Sequence, residues 1–357
     1  MIKPYINRKT GNATCDGVAL SRIAKKKVPG SYEARMIMKM RKYGKLVSTY
    51  FNVNVDDDSR LRCAHKICGT VSGRISTEAT FFGTGANLQN QPYIFKHYLI
   101  ADEGYLLVEG DLAKAEAHCV AFLCQDANMI EAFESGVDVH SFNASKIFNI
   151  ALTEVTKTQR QMGKKVVHAS NYSMGPQTFS DNLAKEEVYM SMGECRKLLK
   201  AYQARFPGLT RWQRDIDKAV SSTRMLYNMF GRPKRFLGML DTATFRNAYS
   251  YIPQSTVAEL LNKGMINIYH DPWFDEYDMM LLATVHDSVL VQINKIHAEQ
   301  LPEILNRIEM HMMHVFIHKG REFTIGFDHC IGKTWASKIE LDNTKPETIS
   351  AAVEELS

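Results

Sequence analysis

The chain has 357 residues, of which 45% are hydrophobic and 23% are charged, and its formal net charge is +5. This is the composition of an ordinary globular protein, and a chain of this length is expected to form two or three subdomains. The mild basic excess permits a polyanionic partner without demanding one. The polar start excludes a signal peptide and no apolar run is long enough for a membrane span, while seven cysteines without a CxxC pair favour reduced thiols in the cytosol.

The first third of the chain predicts helices and one strand. A short helix is expected near 18–25 and a longer one over 32–50, where apolar and basic residues alternate at helical spacing. Residues 51–92 are rich in Gly, Thr, Ser and Asn and indicate irregular structure. The segment YLLVEGD at 105–111 indicates a strand that ends on an acid, and 113–123 predicts a helix.

The remainder of the chain returns from helices to strands. In order, the patterns predict helices over 127–220, a turn around Gly231 within 226–236, a long helix over 241–269 interrupted near Pro253, strand–turn–strand over 281–293, a helix over 296–318 and a last strand over 323–328. Strand-forming segments therefore bracket a helical insert. This order is typical of an α+β protein in which a sheet domain carries a helical lobe.

Two acids stand where buried strands end or turn. Asp111 follows YLLVEG, and Asp287 lies between two apolar runs in ATVHDSVLVQI. If the two strands are neighbours, their carboxylates converge, and a divalent cation such as Mg²⁺ would relieve the repulsion. The alternative for either acid alone is a structural role in a turn.

A basic stripe is predicted on the helix that contains RQMGKKVVHASNYSMGP. Arg160, Lys164, His168 and Tyr172 follow one another at steps of four residues, so they lie along one face. A guanidinium and an ammonium in line suit a triphosphate, and a flat ring one turn further suits stacking on a base. The alternative is an ordinary solvated basic face.

Six segments, in this order, resemble the motifs of the family A DNA polymerases. The residues that carry the resemblance are KLVSTYF with TVSGRISTEATFFGTGANLQNQP (45–92), GDLAKAEAHCVAFLCQD (110–126, motif A), RQMGKKVVHASNYSMGP (160–176, motif B), RNAYSYIPQSTVAELL (246–261), VHDS (285–288, motif C) and FTIGFDHCIGKTW (323–335). The similarity extends over nearly the whole chain, from about residue 8 to 338.

The resemblance implies a right-hand polymerase fold with an antiparallel palm sheet and a helical fingers lobe, the thumb being largely absent. The domains implied are a thumb remnant and thumb–palm connection at 1–92, palm at 93–130, fingers at 131–224 and palm again at 225–357. By the same resemblance, this sequence is expected to lack the exonuclease domain and most of the thumb. Either a second polypeptide carries them or the chain is a cloned fragment.

The resemblance also implies roles for single residues in nucleotide transfer. Asp111 and Asp287 would bind two Mg²⁺ ions, and Arg160 and Lys164 would hold the β- and γ-phosphates of a dNTP. Lys164 would also protonate the pyrophosphate that leaves. The other nucleotide-binding residues implied are His140 at the phosphates, His168 and Tyr172 at the base, and Glu116, which blocks a ribose 2′-hydroxyl.

Contacts to primer–template DNA are implied for a further group of residues. They are Arg74, Asn90, Arg246, Gln254 and His286. Several positions depart from the family pattern. Ser288 replaces the usual glutamate of motif C, and His168 replaces an aromatic Phe or Tyr. The other departures are Leu112, Ala113, Lys114, Ser250 and Ser255.

The function that follows is template-directed DNA-dependent DNA polymerisation in a bacterial or phage-infected cytoplasm, with primer–template DNA and dNTPs as partners and no membrane. Two alternatives stay open. One is a catalytically weak nucleic-acid-binding subunit. The other is an enzyme like the single-subunit RNA polymerases, against which Glu116 argues because those enzymes leave room for the 2′-hydroxyl.

Overall fold

The computed structural model describes residues 5–6, 10–26, 28–67, 69–186, 188–341 and 346–356. The chain divides into two compact units. The helical unit combines Met1–Thr49 with Asp126–Arg211, and the sheet unit combines Tyr50–Gln125 with Trp212–Ser357. The domains implied by the resemblance group residues 1–92 together, whereas here the chain passes from one unit to the other after Thr49.

Most of the described helical segments are α-helices. They are α1 (Gly17–Ala24), α2 (Ser31–Lys45), α3 (Tyr93–Lys96), α4 (Ala115–Cys124), α5 (Ala127–Glu134), α6 (Val139–Phe148), α7 (Lys157–Asn171), α8 (Pro176–Lys185), α9 (Met192–Arg205), α10 (Pro207–Thr223), α11 (Thr242–Tyr269), α12 (Leu301–Met312) and α13 (Pro346–Leu356). A π-helical segment, Leu46–Phe51, continues directly from α2. The helices predicted near 18–25 and over 113–123 are confirmed by α1 and α4.

The described strands are short except at the centre of the sheet unit. They are β1 (Tyr5–Ile6), β2 (Ala13–Thr14), β3 (Ala64–Lys66), β4 (Ser76–Glu78), β5 (Tyr105–Leu112), β6 (Met225–Tyr227), β7 (Pro233–Arg235), β8 (Met280–Val285), β9 (Ser288–Asn294), β10 (Phe316–His318), β11 (Arg321–Phe323), β12 (Phe327–Gly332) and β13 (Ile339–Leu341). The turn predicted around Gly231 is confirmed, because β6 and β7 pair as an antiparallel hairpin on either side of it.

An antiparallel five-stranded sheet forms the centre of the sheet unit, in the order β13-β12-β5-β9-β8. The α+β class and the antiparallel sheet predicted from the sequence are confirmed. In β5, Leu106, Leu107 and Val108 are all buried, because both faces of this central strand are covered. The strand predicted over 105–111 and the strand–turn–strand over 281–293 are likewise confirmed.

Gly110 is required by the packing of the sheet. A Cβ atom at this position would come within 2.3 Å of the Phe327 ring on the neighbouring strand β12. Phe327 and the buried strand residues beside it form the face that α11 and α12 cover. The glycine in YLLVEGD therefore lets an aromatic ring lie directly against the central strand, one residue before Asp111.

Three boundaries differ from the sequence predictions. The helix over 241–269 is not interrupted near Pro253: α11 is continuous, since its long buried side compensates for the one backbone hydrogen bond that proline removes. The helix predicted over 296–318 consists of a 3₁₀ segment, Lys295–Gln300, followed directly by α12. The last residues of the predicted range form β10 instead, where Phe316 stacks on Phe323 with ring centroids 5.1 Å apart.

The last predicted strand, 323–328, is also wrong in its bounds. Phe323 ends β11, and Phe327 begins β12. The residues between them connect the antiparallel β10–β11 hairpin to the five-stranded sheet. In this connection the carbonyl of Gly326 accepts a hydrogen bond from the backbone N–H of Ala113 at 2.8 Å. This crossing is what brings β12 beside β5.

The six described cysteines are free thiols, as predicted, while Cys68 lies outside the described residues. Among the residues described, there is also no helix with the length and apolar character needed to cross a membrane.

Candidate active site

Asp111 and Asp287 lie at the same end of one strand pair in the sheet unit. Strands β5 and β9 pair directly, with Asp111 opposite Ser288, and the backbone N–H of Leu112 donates to the carbonyl of Asp287 at 3.0 Å. The two strands are therefore neighbours, which is the condition under which the two carboxylates were expected to converge. Asp287 belongs to the two-residue turn between β8 and β9, in which His286 adopts a left-handed backbone with φ of 58°.

The two aspartates have different electrostatic surroundings. Asp111 is exposed. Asp287 is partly buried, and this burial raises the pKa of its carboxyl, with Arg74 opposing the shift and Glu116 adding to it. A carboxylate that burial disfavours is stabilised by a cation placed beside it. The chemistry of the pair therefore suits a divalent ion.

The donor set fits Mg²⁺ because that ion retains water and substrate oxygens. Across the described residues, no three His, Cys, Asp or Glu side chains come together as a metal-binding group. Mg²⁺ is commonly held by one or two carboxylates and fills its remaining positions with water and phosphate oxygens. One aspartate at the end of β5 and one in the adjacent β8–β9 turn match that pattern, whereas they are too few for an ion that is ligated by protein groups alone.

Two further carboxylates on this face of the sheet were missed by the sequence analysis. Asp328 on β12 lies directly opposite Asp111, and Glu109 precedes Asp111 by two residues on β5. Side chains at alternate positions of a strand share a face, as do directly opposed residues. The alternation within YLLVEGD could have identified Glu109, but the position of Asp328 depends on a register that the sequence does not display.

Arg74, predicted to contact DNA, and Glu116, predicted to lie at the ribose, form an ion pair in the sheet unit. The Arg74 Nη2 donates to Glu116 Oε1 at 2.6 Å, and each side chain is about one-fifth exposed. The segment that contains Arg74 is attached to α11 by a hydrogen bond from Asn262 Nδ2 to the carbonyl of Gly73 at 3.0 Å. The carboxylate of Glu116 is therefore fixed in position by the guanidinium.

The other residues predicted to contact DNA are distributed over the sheet unit. Asn90 ends a 3₁₀ turn, Leu88–Asn90, and is exposed. Arg246 and Gln254 lie on α11, the first exposed and the second half-buried, and His286 is exposed. All of them reach solvent.

The predicted basic stripe lies on the outer side of α7 in the helical unit. A capping box begins this helix: Thr156 Oγ1 accepts from the N–H of Gln159, whose side chain accepts from the N–H of Thr156. Residues facing inward are Gly163, Val166 and Val167. Lys164 and His168 are exposed, and Arg160 is half-buried.

Arg160 is held by a partner that the sequence did not reveal. Its Nε and Nη2 donate to the two carboxylate oxygens of Asp138 at 2.8 and 2.9 Å. Burial raises the pKa of Asp138, but hydrogen bonds from Arg160 and Ser141 outweigh it and lower that pKa well below its usual value. Asp138 also caps α6 by accepting from the N–H of Ser141, so one carboxylate orders both a helix start and a guanidinium.

The aromatic end of the stripe is ordered by a ring contact. Tyr172 follows the last residue of α7, and its ring meets that of His168 edge to face with centroids 5.1 Å apart. His140, predicted at the phosphates, is only 8% exposed near the start of α6. A Cβ at Gly163 would lie 2.8 Å from the carbonyl oxygen of His140, so α6 and α7 pack in close contact there.

Comparisons with known proteins identify a family. The sequence profile described as DNA polymerase family A matches residues 2–337. DNA polymerase I of Chloroflexus aurantiacus is 27% identical over 290 residues, which is 76% of this chain and 29% of that protein. The DNA polymerase of Bacillus phage SP01 is 24% identical over 298 residues, covering 78% of this chain and 32% of its own length. The chain thus spans about a third of the length of these curated relatives.

A solved structure shares the fold. The POL domain of Pol1 from M. smegmatis, in complex with DNA primer-template and dNTP, superposes with a TM-score of 0.75 at 23% identity. The match covers 94% of this chain and 58% of that one. The right-hand polymerase fold predicted from the sequence is confirmed by this likeness.

Proposed function

Because the chain belongs to DNA polymerase family A, we propose that it adds deoxynucleotides to a primer 3′ end under the direction of a DNA template. The observation that carries the proposal is the pairing of β5 with β9, which sets Asp111 and Asp287 at the same end of one strand pair. Partner molecules in this proposal are primer–template DNA and dNTPs.

The two aspartates are proposed to hold two Mg²⁺ ions. When bound, such ions lower the pKa of an attacking hydroxyl and stabilise a leaving phosphate oxygen. The raised pKa of Asp287 supports this role, since a carboxylate disfavoured by burial gains most from a neighbouring cation. Asp111, on the adjacent strand, supplies the second carboxylate.

The reaction joins the primer 3′ oxygen to the α-phosphorus of the dNTP. The bond between the α- and β-phosphates breaks, and pyrophosphate leaves. Arg160 and Lys164 bind the β- and γ-phosphates and balance the charge that develops on them, and Lys164 donates a proton to the leaving group. Base pairing with the template supplies the sequence information, and the residues that contact DNA respond to duplex shape.

Selection of the sugar is proposed to depend on Glu116. A carboxylate held rigidly by Arg74 fills the space that a ribose 2′-hydroxyl would need, so a deoxyribose is preferred. His168 and Tyr172 supply flat rings for the base, and His140 is proposed to support the phosphate site from α6. The remaining predicted DNA contacts, Arg74, Asn90, Arg246, Gln254 and His286, are proposed to bind primer–template.

A second polypeptide that carries the thumb and exonuclease stays a prediction from the sequence. Duplex binding draws on many phosphate contacts and weakens steeply with salt. Extension assays are therefore best made at low ionic strength.

The proposal is tested by primer extension with Mg²⁺ and dNTPs at low salt. The wild type is expected to extend the primer, and Asp287→Ala to lose extension. Asp57→Ala, which removes an exposed acid from the same unit, is the matched control and is expected to retain it. Equal extension by the wild type and Asp287→Ala would remove Asp287 from catalysis. If the wild type extends with rNTPs as readily as with dNTPs, an enzyme like the single-subunit RNA polymerases is favoured instead.

A further inference from the structure

Ser288 lies where the family resemblance places a glutamate, and the structure brings another carboxylate to its hydroxyl. Ser288 Oγ lies 3.0 Å from Glu109 Oε1, across the β5–β9 pair, and 3.0 Å from the carbonyl oxygen of Val285, so its one proton is donated to either of these acceptors. Ser288 is buried, being 5% exposed, and is bonded on its N-terminal side to Asp287. The carboxylate missing from β9 is thus matched by one that extends from β5.

Glu109 is held by three groups, one on β9 and two in the segment between β12 and β13. Besides Ser288, Trp335 Nε1 donates to Glu109 Oε1 at 3.3 Å, and Lys338 forms an ion pair with the other carboxylate oxygen. The Glu109 side chain is only 11% exposed. A carboxylate with this many partners is fixed in one orientation, which is what a group must have to act on its neighbours.

Glu109 and Asp111 extend from the same face of the sheet. They are two residues apart on β5, so their side chains leave the sheet on one side, about 7 Å apart along the strand. Ser288 opposes Asp111 and leaves on that side as well. The hydroxyl of Ser288 therefore connects Glu109 to the turn that carries Asp287.

We infer that Glu109 is a positioning residue of the metal site, taking over from β5 the task of the carboxylate that position 288 lacks. This inference rests on the proposed function. Glu109 acts in two ways: its hydrogen bond fixes Ser288 and with it the turn bearing Asp287, and its negative charge favours a cation at the neighbouring aspartates. It does not touch the reacting atoms.

Lys338 distinguishes this role from ordinary sheet stability. A structural role predicts that removing either member of the Glu109–Lys338 pair has the same effect. A role in cation binding predicts opposite effects, because Glu109→Gln removes a negative charge and exposes the site to Lys338, whereas Lys338→Met removes a competing positive charge. The sign of the change is therefore diagnostic.

The experiment measures Mn²⁺ binding by electron paramagnetic resonance of the free ion. The protein is assembled with a dideoxy-terminated primer–template and a dNTP, so that no turnover occurs. We expect Glu109→Gln to weaken Mn²⁺ binding about tenfold, as loss of a group that orients metal ligands generally does. Lys338→Met is expected to bind Mn²⁺ as tightly as the wild type or more tightly. Glu340→Gln, an exposed acid on β13 of the same sheet, is the matched control and is expected to stay within about twofold.

A double variant separates a loss of Mn²⁺ affinity from a loss of folding, because a misfolded protein would not regain affinity. Exchanging the two side chains, by Glu109→Ser together with Ser288→Glu, returns a carboxylate to β9 and keeps one hydroxyl on β5, at the diagonal position of the strand pair. We expect the exchange to recover most of the Mn²⁺ affinity that Glu109→Ser alone loses.

The inference is overturned if Glu109→Gln binds Mn²⁺ like the wild type, if Lys338→Met weakens binding as much as Glu109→Gln, or if the exchange recovers nothing. Failure of the proposed function would give different results. If the protein is not a Mg²⁺-dependent polymerase, the wild type itself shows no Mg²⁺-dependent extension, and Asp287→Ala binds Mn²⁺ as the wild type does.

Discussion

Replacing Asp138 by asparagine tests whether the Asp138 carboxylate orients the Arg160 guanidinium for binding a dNTP phosphate. The bidentate pair occupies Nε and one N–H of Nη2, which leaves the outer edge of the guanidinium available to a ligand. Asparagine still caps a helix start, so α6 keeps its hydrogen bond to the N–H of Ser141. The substitution therefore removes mainly the charge that holds Arg160.

The magnitude follows from exposure and side-chain entropy. The two side chains are 38% and 32% exposed, so solvent weakens the pair, and its contribution is about 1 kcal/mol or less. A free arginine side chain has roughly 2 kcal/mol of rotamer entropy, part of which a bound phosphate must then remove. We expect KM for dNTP to rise about fivefold, with kcat changed less, since 1.4 kcal/mol corresponds to a factor of ten.

The assay is single-nucleotide incorporation over a range of dNTP concentrations at saturating primer–template. Asp16→Asn is the control, because Asp16 caps α1 in the same unit by accepting from the N–H of Ala19 at 2.9 Å. An unchanged or lower KM for Asp138→Asn would refute the reasoning. It would mean that Asp138 competes with the phosphate for Arg160 instead of orienting it.

Three further outcomes are expected. Burial lowers the pKa of His329 from 6.5 to about 4, so stability that depends on its neutral form is lost as pH falls from 6.5 toward 4. His329→Leu should abolish that part of the loss, about 2 kcal/mol between pH 7 and pH 5, and urea titrations at these two pH values that show equal pH sensitivity in both proteins would contradict it. Gly110→Ala should destabilise the sheet unit by about 1–3 kcal/mol in urea unfolding, because its Cβ would overlap the Phe327 ring, and an unchanged midpoint would show that the ring moves freely. Glu116→Ala should raise rNTP use relative to dNTP about tenfold in competition assays, since it empties the space beside the sugar, and an unchanged ratio would place sugar selection elsewhere.

The strand pair that carries the two aspartates was accessible from the sequence because its signals are local. An acid after YLLVEG and another between two apolar runs identify strand ends, and the order of six motifs indicates the fold. The pairing of these two strands joins residues that are 176 positions apart in the sequence. Periodicity alone does not predict such a pairing, and it was expected only from the family resemblance.

The contacts that hold the site residues were not accessible in the same way. Asp138, which caps α6, and Arg160 on α7 are 22 residues apart, and Glu109 meets Ser288 only because of the register of β5 against β9. Neither pair has a spacing that a helix or a strand would reveal. Pro253 shows the converse case, where a reliable local signal for a helix break is overridden by burial of the whole helix.

The measurement that tests the central claim most directly is the single-turnover rate of nucleotide incorporation for Asp111→Asn, Asp287→Asn and the double variant. Two carboxylates that act as one unit give non-additive losses. Each single variant is expected to lose about a thousandfold or more, and the double variant to be scarcely slower than either. The account is contradicted if one single variant keeps the wild-type rate, or if the two losses multiply in the double variant.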